Sequence, residues 1–193
     1  MSRSSNREKI LTEGLRVVHE RGFSGASVRD IVQAAGVPQG SFTNHFASKE
    51  AFGLEVLGLY MERGRAVVAE TLDNEALPPL DRLRAYIDGN RSRLNRDNMR
   101  SGCLIGNFTA EACEHSEVIR HRLLEIFAEV EAAIADCLRA AVAAGELPAD
   151  FACIEVASFI FSSLQGATLI AKAERSTAPI ERFRHTLFAN VLR

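Results

Sequence analysis

Two sets of side chains in this chain have types and spacings that could do chemistry. The first is the run Gln39-Gly40-Ser41-Phe42-Thr43-Asn44-His45, whose amide, hydroxyls and imidazole offer short donors and acceptors of the kind that pair with base edges and phosphate oxygens. The second is Arg100-Ser-Gly-Cys103-Leu-Ile-Gly-Asn107-Phe108-Thr-Ala-Glu-Ala-Cys113, which places two thiols and an amide in one short, largely apolar segment. Covalent catalysis would draw on Cys103 with His115 or His121 as nucleophile and base. Both histidines, however, fall among Glu114, Glu117, Arg120 and Arg122, as they would on an ordinary solvated helix face. The sequence contains no glycine-rich phosphate loop and no cluster with metal-ligand spacing. The expectation is a chain that is not an enzyme and that takes no cofactor and no metal.

The first set needs a helix to present it, and its neighbours supply one. Ser27 followed three residues later by Asp30 is a capping box, and Val28, Ile31 and Val32 make an inward stripe. Gly36 provides the left-handed backbone of a tight interhelical turn. A second short helix is expected to start at Pro38, whose missing N–H costs nothing in a first turn. Phe42 and Phe46 fall four apart on one face, leaving Gln39, Ser41, Thr43, Asn44 and His45 outward. This is the layout of a helix-turn-helix, the alternative being a helical hairpin of no special use.

The stretch Gly36-Val-Pro-Gln-Gly-Ser-Phe-Thr-Asn-His-Phe-Ala-Ser-Lys-Glu-Ala-Phe52, preceded by a first helix over Arg7 to Arg21, resembles the DNA-binding signature of the TetR family of bacterial transcriptional regulators. Gln39 stands where that family commonly has lysine, and Thr43 where it commonly has a phosphate-contacting tyrosine. The resemblance implies a repressor that binds a pseudo-palindromic double-stranded DNA operator as a homodimer and is released by a small molecule or a reactive electrophile. Ser27, Arg29, Gln39, Gly40, Ser41, Thr43, Asn44, His45 and Lys49 are the expected DNA contacts. Residues 1–47 are expected to form the DNA-binding domain, and residues 48–193 the effector-binding and dimerisation domain.

Charge agrees with that division. The formal net charge is −2, but residues 1–50 hold seven Lys or Arg against five Asp or Glu, leaving sixteen against twenty for the remainder. A basic head on an acidic body approaches phosphate while the body avoids non-specific contact. The N-terminus is polar and has no secretory pattern, so a cytoplasmic location is expected. The four cysteines, Cys103, Cys113, Cys137 and Cys153, are too scattered for a metal site and are expected to be free thiols.

Helical spacing recurs from end to end without strand-like alternation, which predicts an all-α chain of about nine helices. Ser48 should cap a long fourth helix that joins head to body. The apolar stretch Ala152 to Ala173 could span a membrane by length, but Glu155, Ser158, Ser162, Ser163, Gln165 and Lys172 argue for a helix of a folded body instead. That stretch is apolar round most of its circumference. With the terminal helix it predicts a four-helix contact between subunits carried by Phe159, Phe161, Leu164, Ile180, Phe183 and Leu187. The alternative is that both helices pack inside one monomer. Two recognition helices held roughly 34 to 36 Å apart would then read two half-sites together.

The Cys103 segment is similar to the corresponding region of the NemR and AcuR type of TetR regulator, with Cys103, Gly106, Asn107, Glu111, Cys113 and Lys172 as matching positions. That likeness implies a response to electrophiles or to small unsaturated acids. A thiolate at a helix start is stabilised by unsatisfied N–H groups, which raises its reactivity. Cys103 is the expected sensor and Cys113 a lesser one, against the reading of Cys103 as a small buried hydrophobe. A non-covalent ligand would instead use Asn107 and Lys172 as polar contacts and Phe108, Tyr86 and Phe127 as apolar lining; for each aromatic the alternative is core packing.

Overall fold

A computed structural model describes residues 5–96 and 98–193. Among these residues all regular elements are helical: α1 Asn6–Arg21, α2 Val28–Ala34, α3 Gly40–His45, α4 Lys49–Glu70, α5 Pro79–Asn95, α6 Leu104–Ala112, α7 Glu117–Ala143, α8 Cys153–Glu174 and α9 Ala178–Thr186, the last running into a π-type turn at Leu187–Val191. The expected all-α class and nine helices are therefore met. One start moves: α3 opens at Gly40 rather than Pro38, because the N–H groups of Ser41 and Phe42 reach back three residues, to the carbonyls of Pro38 and Gln39 at 2.9 and 3.3 Å, and so form a tighter turn ahead of the α-helix.

Packing divides the chain into two compact units, Met1–Glu62 with Cys103–Leu124, and Arg63–Gly102 with Glu125–Arg193. This is a different cut from the functional division expected at residue 47. The first half of α4 belongs with the head because Phe52, Val56 and Leu57 are fully buried, and Phe52 meets the rings of Phe42 and Phe46 at 5.3 and 5.1 Å. Gly14 of α1 is bare because the Phe52 ring fills the place where a Cβ would stand. Burial of this kind stabilises by roughly 1.5–3 kcal/mol per large side chain.

The second unit is built round Leu83, Ile87, Ile134, Leu138, Ile160, Ile180 and Leu187, all at most 1% exposed. Polar ties sit at its edges. Glu146 accepts from the N–H of Leu80 at 2.8 Å, and Arg65 makes a two-pronged pair with Glu129 at 2.6 and 2.9 Å. Arg184 faces Asp88 at 3.2 Å, and Arg91 reaches Glu181 at 3.4 Å, joining α5 to α9. Asn98 and Met99, just ahead of α6, have φ of 55° and 57°. A left-handed backbone costs a residue with a Cβ about 1–2 kcal/mol, and here the Met99 carbonyl accepts from Arg175 at 3.4 Å.

Candidate nucleic-acid interface and sensing residues

The hairpin that carries the exposed polar residues is fixed at every joint. Ser27 Oγ accepts from the N–H of Asp30 at 3.1 Å, and the Asp30 carboxylate accepts from the N–H of Ser27 at 3.0 Å, so the capping box is complete. Hydrogen bonds from the Ser27 hydroxyl and then its amide hold the Asp30 carboxyl below its ordinary value, with Arg21 at 2.8 Å adding to the effect. Gly36 has φ +64° with open space where a Cβ would be. The backbone dihedral, not crowding, is what calls for glycine there.

From that turn Gln39, at the N-cap, and Gly40, Thr43, Asn44 and His45 of α3 are exposed to solvent. Its six residues rise about 9 Å, short enough to lie along a major groove. Thr43 Oγ1 donates to the Gly40 carbonyl at 3.1 Å, which aims the hydroxyl's lone pairs outward. Ser41 departs from expectation: it is buried, 9% exposed, on the side of the helix shared with Phe42. A helix of six residues is too short for periodicity to separate its two faces.

Lys49 is also less free than its position at the start of α4 suggests. Its ammonium lies 4.9 Å from the centre of the Phe23 ring and 3.5 Å from the Ser24 carbonyl. Burial lowers it from its ordinary value, with Glu111 opposing. Arg29 on α2 is exposed. Ser27 is exposed as well, but its side chain is engaged in the cap.

The residues expected to sense an effector divide between the two units. Cys103, Asn107, Phe108 and Cys113 lie in the first, and Tyr86, Phe127 and Lys172 in the second. Cys103 is the N-cap of α6, half-buried, and its side chain makes no cap hydrogen bond; Cys113 is half-buried at the other end. Phe108 is fully buried, with its ring 4.8 Å from that of Phe23, so core packing within the first unit accounts for it. Phe127 lies 5.5 Å from Phe161, and Tyr86 packs partly buried on the same core. Lys172 runs over Gly102, where an added Cβ would come within 2.9 Å of its Cδ. Burial pushes the Cys137 thiol up to about 11, which makes it inert.

The six residues expected at the subunit contact differ in exposure. Of the six expected, Phe161, Leu164, Ile180 and Leu187 are buried in the second unit, Phe183 is half-buried, and Phe159 alone is exposed, at 46%. The apolar side chains that α8 does turn to solvent are Ile154, Phe159, Leu169 and Ile170. Glu155, Phe159, Ser162, Gly166, Leu169 and Ala173 follow one another at three- and four-residue steps, all exposed. A helix apolar all round gives no sequence signal for which face turns inward.

Comparison with known proteins gives a consistent set of likenesses. Residues 10–56 match the model for bacterial regulatory proteins of the tetR family, and residues 79–187 match the tetracyclin repressor-like C-terminal domain. The chain is 38% identical to the HTH-type transcriptional repressor DhaR of Mycobacterium sp. (strain GP1), over 100% of this chain and 95% of that one. It is 31% identical to the transcriptional regulator AcuR of Cereibacter sphaeroides, over 93% and 82%. It is also 30% identical to the HTH-type transcriptional repressor NemR of Escherichia coli K12, over 91% and 88%. Among solved structures, a regulatory protein TetR from Rhodobacter sphaeroides superposes with TM-score 0.90 at 31% identity, covering 95% of this chain and 97% of that one. The reduced form of E. coli NemR superposes with TM-score 0.84 at 28% identity, covering 97% and 99%.

Proposed function

Since the chain belongs to the TetR family of bacterial regulatory proteins, we propose that it is a cytoplasmic, homodimeric transcriptional repressor. In this reading it grips a pseudo-palindromic operator through α3 and lets go when a small molecule or electrophile acts on the helical body. The observation that carries it is the exposed set of Gln39 at the N-cap and Thr43, Asn44 and His45 on a six-residue helix that is seated through Phe42 and Phe46 on the Phe52 ring. Short polar side chains on a firmly seated helix can read base edges without first paying the entropy of ordering. One such helix makes few contacts, so affinity depends on two being delivered together. Residues 1–47 are the reading part in this account, and residues 48–193 the sensing and pairing part.

The primary test is capture of genomic fragments by the purified protein, followed by anisotropy titrations on the selected duplex at graded salt. Arg29, exposed on α2, serves as a phosphate cation. Arg29→Ala should weaken binding across sequences and flatten the slope of log affinity against log salt by about 1. Asn44→Ala should leave that slope intact and relax base preference at one position by about 1–3 kcal/mol.

Release has two versions. In the covalent one, the Cys103 thiolate adds across the activated C=C bond of an electrophile at the start of α6, the π bond giving way to an S–C bond and to a C–H bond whose proton comes from solvent, and this adds bulk where the helix begins. In the reversible one, a carboxylate or carbonyl is held without a covalent bond, with Asn107 as a hydrogen-bond donor. That one relative, NemR, has been solved in a form named as reduced favours the covalent version. Cys103→Ser should keep operator affinity and lose release by N-ethylmaleimide; release at the wild-type level in that variant would rule Cys103 out as the reacting thiol and point to Cys113, the other half-buried thiol of this segment.

A further inference from the structure

Helix α6 sends two side chains from one face, three residues apart, into the turn between α1 and α2. Phe108 lies against Phe23, and Gly53 of α4 is bare opposite them, since a Cβ there would stand 2.7 Å from the Phe23 ring and 3.4 Å from that of Phe108. One turn further along, Glu111 Oε2 accepts from the backbone N–H of Ser24 at 2.8 Å, across 87 residues of sequence. The same carboxylate occupies the space above Gly22, whose φ of +82° and missing Cβ let it approach. It also faces the Lys49 ammonium, which reaches the Ser24 carbonyl. Both backbone polar groups of Ser24 are thus held, one by α6 and the other by α4. Ser24 stands three residues ahead of Ser27, the cap on which α2 is built. A second clasp lies close by: Ser116, which caps α7 at 3.1 Å from the N–H of Ile119, donates to Glu50 of α4.

We propose that Glu111 is the positioning residue that sets the recognition hairpin on α4, and that a displacement of α6 reaches the DNA-reading face through its carboxylate and the Ser24 amide. The proposal rests on the operator-binding reading above. A carboxylate accepting a backbone N–H is among the stronger protein hydrogen bonds. It also has direction, whereas the Phe23–Phe108 contact beside it can slide. Rotation of α6 therefore pulls on Ser24 rather than slipping past it. Because Cys103 stands at the opposite end of the same nine-residue helix, the residue proposed to sense and the residue proposed to transmit share one rigid element.

The test uses the full-length protein and the duplex it selects. Glu111→Ala should speed hydrogen exchange of the Ser24 amide about tenfold or more, with exchange across Leu104–Ala112 unchanged. Operator affinity should fall about tenfold, and the ratio of affinities with and without N-ethylmaleimide should shrink toward one. Glu111→Gln, which keeps an acceptor for Ser24, should restore protection and most of the affinity. Wild-type Ser24 exchange in Glu111→Ala, or a wild-type release ratio in that variant, overturns the proposal. If the unaltered protein bound no duplex at all, the regulator reading would fall, while the exchange comparison would still decide whether Glu111 holds the hairpin.

Discussion

Phe52→Ala should destabilise the first unit by about 3–5 kcal/mol and abolish operator binding at concentrations where the unaltered protein saturates. Phe52 is fully buried and is the ring on which Phe42 and Phe46 of the recognition hairpin both rest. Its edge also fills the place of a Gly14 side chain and so seats α1. Truncation removes one anchor from three helices at once, and the neighbours cannot close the gap without moving α3. Thermal unfolding followed by circular dichroism, together with anisotropy on the selected duplex, measures both effects. Phe52→Leu should recover part of each, because the lost volume is smaller.

Charging the outer face of α8 should have an equally large effect by another route. Phe159→Glu combined with Leu169→Glu should give a monomer at micromolar concentration in sedimentation velocity, with the helical content kept. Its operator affinity should be lower by about 10²–10⁴, the factor lost when two linked binding events become independent. Both side chains are well exposed in the single chain, at 46% and 69%, so the charges meet water unless a second copy covers them. Phe161→Glu, two residues away but 8% exposed, should unfold the second unit instead. The contrast between dissociation and unfolding tells a subunit-facing residue from a core one.

How far the sequence could be read follows from the range of the forces involved. The Ser27 capping box, the Gly36 turn and the Ser48 cap are local, and each stands where its residues suggest. The recognition hairpin was legible for that reason. The orientation of Ser41 was not, because α3 is under two turns long and its facing is decided by the Phe52 ring of α4. The outward stripe of α8 was hidden by apolar residues on every side. The link from Glu111 to Ser24 spans 87 residues and leaves no periodic trace. A lone glutamate in a short helix looks solvated until the α1–α2 turn is folded beside it.

The first unit is assembled from two stretches of chain, Met1–Glu62 and Cys103–Leu124, and this bears on how the protein is made. A ribosome that has released Glu62 must add the whole of the intervening segment and α6 before the unit can close. At bacterial elongation speeds of about 20 residues per second that is a wait of roughly 3 s, during which Phe23 has no Phe108 to cover it. A nascent chain arrested near residue 100 should therefore be captured by chaperones and nicked by proteases in the α1–α2 turn, and one arrested well past Leu124 should resist both.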